Sequence, residues 1–155
     1  MGPRARRVVN AADADREPHL VWNAFVDLIA TTPPEELSDR QHVAHLAFLY
    51  DAEVQNGGHL QYFENHGTVL VEGTVVALDH LGARLQAAVL AGATAVWNSR
   101  PRERSLTAEQ YVSVALEGEF DTFDSQYHAC EPAITDLLSL YLEANREEFV
   151  ELRDV

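Results

Sequence analysis

The sequence predicts an all-α protein, a single compact multi-helix domain of about six to eight helices. Three observations carry this reading. Apolar residues recur at helical spacing over most of the chain, capping residues and glycine or proline stops punctuate those runs, and alternating strands joined by a hairpin turn are not recognisable. A chain of 155 residues with 46% hydrophobic and 23% charged side chains has enough apolar material for one real core. No internal repeat and no Gly/Ser-rich linker divides it, so residues 1–16 are read as a mobile N-terminal tail and residues 17–155 as the single domain.

Pro18 suits a first helical turn, and Trp22, Phe25, Val26 and Ile29 follow at helical spacing until Thr31-Thr32-Pro33-Pro34 stops the helix. Ser38 with Gln41 three positions later is a capping box. It opens a long amphipathic helix whose stripe of Val43, Leu46, Ala47, Tyr50 and Val54 ends at Asn56-Gly57-Gly58. A short segment from His59 to His66 closes at Gly67. Val75 to Leu81 and Leu85 to Trp97 form two helices separated at Gly82, although the β-branched runs Thr68 to Val71 and Thr74 to Val76 leave room for an extended piece. Ser99 to Ser105 reads as a loop. Thr107 with Gln110 repeats the capping box, and Val112, Leu116, Phe120, Phe123 and Tyr127 continue with a break near Gly118. Pro132 starts the last helix, with Ile134, Leu137, Leu138, Tyr141, Leu142 and Phe149 as its stripe. Trp22, Phe25, Tyr50, Phe63, Phe120, Phe123 and Tyr141 are expected to meet in one core.

Charge narrows function further. There are 25 acidic against 11 basic residues, a net charge of −14, and the chain contains no lysine. Such a surface repels nucleic acid and anionic lipid while attracting basic proteins, so neither direct nucleic-acid binding nor membrane binding is expected. The single cysteine, Cys130, excludes an internal disulfide. Met1 to Arg7 holds three arginines but leads into no apolar run, so no signal peptide is read and the expected compartment is the cytoplasm.

The most distinctive stretch is Glu53, Asn56-Gly57-Gly58, Gln61, Phe63, Asn65 and Gly67. Asn56 or Gly57 in the left-handed conformation would end the long helix, and Glu53, Gln61 and Asn65 would satisfy polar groups at the corner. Together with Ala77-Leu78, Gly82-Ala83, Asp124, Tyr127 and the ending Tyr141 to Phe149, this pattern resembles a bacterial family of DNA-mimic proteins. His59 departs from it, standing where an aromatic, usually Phe, belongs. The resemblance implies an acidic helical protein, a homodimer in one described member, that occupies a basic DNA-binding protein and performs no reaction.

A DNA mimic needs carboxylates arranged on a face. Ser105 to Asn145 contains eight acids and no Arg or Lys, and Gln41 to Ala83 contains five, again with none. Glu117, Asp121 and Asp124 share one helical face opposite Phe120 and Phe123, while Asp136, Glu143 and Glu147 form a second. Like-charged neighbours four apart cost a few tenths of a kcal/mol each, where most surface helices would alternate signs. Residues seven apart rise roughly 10 Å, whereas a DNA strand presents a phosphate about every 3.4 Å, so two helices or a dimer are required. Glu117, Asp121, Asp124, Asp136 and Glu143 are the expected partner-binding residues, clear of any arginine, with Arg146 the nearest challenger. Replacing Asp121 and Asp124 with Asn is expected to leave the fold intact. The bland reading is that these faces only keep the protein soluble.

The expected partner is a basic transcription factor, nucleoid protein or nuclease; inhibition of a nuclease by an immunity- or antitoxin-like protein needs the same surface. A different class of reading is a metal or small-ligand site at the Glu53 to His66 corner. His42 and His45 lie three apart on the long helix, but no His-Glu-x-x-His or cysteine cluster accompanies them, so no metal ligands are assigned. Cys130 lies two residues from His128, a helical spacing that points the side chains apart, and no Gly-rich phosphate loop is present. No catalytic residues and no cofactor are expected.

Overall fold

In the computed structural model, residues 5–103 and 105–154 are described, and 72% of the described residues are helical. Nine α-helices and one two-stranded sheet are found among the described residues, which fall into two compact units: Met1–Leu49 with Ile134–Val155, and Tyr50–Ala133. The predicted helix count rises through two short end helices that apolar spacing does not reveal.

In the first unit, residues 7–16, read from sequence as part of a tail, form strand β1 (Arg7–Asn10) and helix α1 (Ala11–Arg16). β1 pairs in parallel with β2 (Val150–Arg153), setting Val9 against Leu152. The partner lies near the opposite end of the chain, so no local pattern announces the pairing. Asn10 caps α1 by accepting from the Asp13 N–H at 3.0 Å. Helix α2 (His19–Thr31) buries Phe25, Leu28 and Ile29.

Helix α3 (Asp39–His66) opens on the predicted capping box. The Ser38 N–H donates to Gln41 Oε1 at 2.9 Å, and the Gln41 N–H donates to Ser38 Oγ at 3.3 Å. The buried Gln41 side chain does more than cap. Its Nε2 donates to the carbonyls of Ala5 and Glu148, both at 2.7 Å, clamping the two terminal segments that precede β1 and β2. Helix α8 (Ile134–Ala144) buries Ile134, Leu138 and Leu142, and α9 (Arg146–Phe149) presents Phe149 edge-on to Phe25 at 4.8 Å between ring centroids.

The second unit holds the end of α3 with α4 (Val71–Leu81), α5 (Arg84–Trp97), α6 (Ala108–Leu116) and α7 (Asp121–Ala129). The β-branched run before Leu81 is helical, because Thr74, Ala77 and Leu78 are buried and packing overrides propensity. Gly82, at φ 83°, terminates α4 in the left-handed conformation. Phe63 stacks on Trp97 at 5.1 Å and contacts Phe120 at 5.5 Å, while Tyr50 meets Tyr62 and Tyr127 edge-on. The seven aromatics expected in one core are thus divided. Trp22, Phe25 and Tyr141 belong to the first unit, and Tyr50, Phe63, Phe120 and Phe123 to the second.

Candidate functional site

Helix α3 breaks at the glycine pair. Gly57 takes φ −148°, ψ 18° and Gly58 takes φ 72°, ψ −173°. The sequence places the left-handed residue at Asn56 or Gly57, and the structure places it at Gly58. The reason is tertiary. The turn aims the His59 N–H at Asp124 of α7, whose Oδ1 accepts it at 2.9 Å, and a Cβ on Gly58 would stand 2.4 Å from Asp124 Oδ2. Gly57 is needed for room, since its Cβ would lie 2.1 Å from Gln61 Oε1.

Into that room the polar residues fold. Gln61 Oε1 accepts from Asn56 Nδ2 at 3.0 Å, and Gln61 Nε2 donates to Glu53 Oε2 at 2.8 Å. Asn65 Nδ2 donates to the same Glu53 oxygen at 2.9 Å, and His66 Nε2 lies 3.1 Å from Glu53 Oε1. Burial pushes the Glu53 carboxyl up, but bonds from Gln61, His66 and Asn65 outweigh it and hold the group below its ordinary value. Both oxygens of Glu53 are thereby engaged within the corner.

Behind the corner runs a second chain of bonds. His59 is fully buried, with Nδ1 2.6 Å from Asp124 Oδ1 and Nε2 2.7 Å from the Tyr50 hydroxyl. The imidazole keeps an aromatic's place among Tyr50, Tyr127 and Phe63 while adding two polar contacts. Tyr127 donates to Asp51 beside it. Burial pushes both tyrosine hydroxyls up, and the charge of Asp51 adds to this at Tyr127. Tyr50–His59–Asp124 has the order of a proton relay, but Tyr50 and His59 expose no surface to a substrate. It ties α3 to α7.

The sequence groups Asp124 with Glu117 and Asp121 as an outward carboxylate. Its side chain is only 27% exposed and serves His59 twice, so its charge is directed inward. Glu117 is exposed, yet Arg100 approaches it at 3.9 Å, in place of the expected challenger Arg146. Glu119 is bound by Arg100 at 2.7 Å and Arg102 at 2.6 Å, which hold its carboxyl down at about 2. Arg102 in turn lies 4.5 Å over the Trp97 ring. Both arginines come from the loop just before the base-free stretch, so that stretch is not base-free in space.

Asp121 at the start of α7, in the second unit, and Asp136 and Glu143 on α8, in the first, are exposed and have no ion pair among the described residues. Arg40 and Arg146 line the same surface hollow as Glu143. His42 and His45 sit 5.9 Å apart, and His45 Nδ1 is occupied by the Ile29 carbonyl at 2.7 Å. Burial and the neighbouring His45 lower His42. Among the described residues no group of three or more His, Cys, Asp or Glu is placed to hold a metal ion, and no helix is long and apolar enough to cross a membrane. The Cys130 thiol is buried, which pushes its pKa up.

Sequence reasoning missed Tyr50, Asp51, Arg100 and Arg102. The three-residue spacing of Asp124 and Tyr127 was the available signal, since it puts both on the side of α7 that meets α3.

No curated protein and no solved structure matches the chain. The family model of the DMP19-like proteins matches residues 35–145, a span that contains the whole glycine corner and the α7 side chains that close it. The chain belongs to the DMP19-like protein family.

Proposed function

We propose that this protein binds a basic DNA-binding protein through exposed carboxylates and keeps it from DNA, with no reaction of its own. The observation that supports this most is that Asp121, Asp136 and Glu143 are among the many exposed carboxylates that have no ion pair among the described residues, in a chain of net charge −14. Unpaired like charges on helices are unfavourable for the isolated protein, and a cationic partner relieves them. Membership in a DNA-mimic family supports the same reading. A DNA-binding surface carries Arg and Lys placed for phosphates, and carboxylates present the same sign of charge to it.

The test is affinity capture from the native lysate on immobilised protein, followed by elution with duplex DNA and mass-spectrometric identification. Basic DNA-binding proteins released by the duplex and by added salt support the proposal. A retained partner that neither DNA nor salt releases contradicts it. Recovery of a nuclease instead of a transcription or nucleoid factor would select the immunity-type reading of the same surface.

A further inference from the structure

Helix α6 differs from every other helix of eight or more residues in the second unit: none of its residues is buried. A nine-residue helix is marginal in water. Its capping box is complete, with the Thr107 N–H donating to Gln110 Oε1 at 2.8 Å and the Gln110 N–H to Thr107 Oγ1 at 3.1 Å. Tyr111 and Val114 supply a half-buried inner side. On the outer side Val112 is 55% and Leu116 82% exposed, four residues apart and so next to one another. Single exposed apolar residues are ordinary, but here two adjoin on a helix none of whose residues is fully buried.

Charge selects what covers them. Glu109 lies one turn before Val112, Glu117 follows Leu116, and α6 itself carries no Arg or Lys, while Arg100 and Arg102 lie beside Val114 on its inner side. Glu117 has only the distant Arg100 contact at 3.9 Å between exposed groups, which neutralises little. A second copy would bring the same acids against themselves, and an anionic membrane would repel them. A helix with an apolar stripe flanked by Arg or Lys matches both the valine–leucine pair and its acidic rim.

We infer that Val112 and Leu116, rimmed by Glu109 and Glu117, form the apolar anchor that docks a basic amphipathic helix of the partner. This rests on the proposed function above. It adds that the partner is held by an apolar contact as well as by charge, which makes affinity partly resistant to salt.

The test uses the full chain and two fluorescein-labelled synthetic helical peptides of equal positive charge. One carries a leucine stripe flanked by arginines, and in the other serines replace the leucines. The protein should bind the leucine peptide about tenfold more tightly, and Leu116→Ser or Val112→Ser should abolish that preference without changing the thermal midpoint. Val76→Ser, on α4, should leave it intact. An unchanged preference in both α6 variants overturns the inference while leaving the acidic reading in place, provided both peptides bind in a salt-dependent way. Failure of both peptides to bind overturns the two together. Binding to phosphatidylcholine vesicles that Leu116→Ser removes, or self-association that it removes, assigns the face to a membrane or a second copy and overturns the inference.

Discussion

The glycine corner and the outer surface of α6 and α7 lie in one unit and carry the same kinds of residue, yet they use them in opposite ways. At the corner Glu53 and Asp124 spend their charge on the amides and imidazoles of their own chain. On the outer surface Asp121 has no ion pair among the described residues, and Val112 and Leu116 lie open. The difference shows that an acidic count along the chain overstates the charge available to a partner. Every carboxylate that closes a turn or an arginine loop must first be subtracted, as Asp124 and Glu119 are here.

The comparison breaks most readily at Gly58. Gly58→Ala imposes left-handed strain of about 1–2 kcal/mol and pushes Asp124 off the His59 N–H, so a loss of about 3 kcal/mol is expected in urea unfolding. A loss below 1 kcal/mol would mean that the corner is not what holds α3 to α7. Asp124→Asn should cost about 2 kcal/mol, since the charged oxygen that takes both His59 bonds is replaced by a neutral amide oxygen. The sequence-based expectation, in contrast, is that replacing Asp121 and Asp124 together leaves the fold intact. Gly57→Val should also cost about 2 kcal/mol, through collision with Gln61 and not through backbone strain. Combining it with Gln61→Ala in a double-mutant cycle should recover much of the loss, and strict additivity would refute the collision.

Smaller effects sharpen the contrast. Glu119 is held at about 2 by Arg102 and Arg100, below its unfolded value of 4.5. Its contribution is therefore present above the unfolded value and is lost as pH falls toward the folded one. After allowance for solvent screening it amounts to about 1 kcal/mol. The stability gap between wild type and Glu119→Gln should be constant at neutral pH and vanish in strong acid. Asp121→Asn should leave stability within about 0.5 kcal/mol, because its side chain makes no ion pair or hydrogen bond among the described residues and an exposed charge in the first turn of α7 contributes only a few tenths. An Asp121 effect as large as that of Asp124 would erase the distinction between inward and outward acids.

What was legible in the sequence was local. The two capping boxes, the breaks at the glycine pair and Gly118, and the helical stripes each depend on residues within a turn or two, and side-chain spacing states them directly. The need for both glycines was also visible, but the assignment of positive φ was not. It is fixed by Asp124, 65 residues further along the chain from His59. The same limit hid the pairing of β1 with β2 and the return of Arg100 and Arg102 onto Glu119. The five acids read as partner-binding were ranked by periodicity, which reports the face of a helix and not what is packed against that face.

The central claim is that the outward carboxylates hold a basic partner. The most direct measurement is the affinity of the captured partner for wild type and for the Asp121→Asn/Asp136→Asn/Glu143→Gln variant, by calorimetry at low and physiological salt with duplex DNA as competitor. The account predicts that the variant remains folded, binds at least tenfold more weakly at low salt, and shows a shallower salt dependence. Equal affinity and equal salt dependence for the two proteins would contradict it.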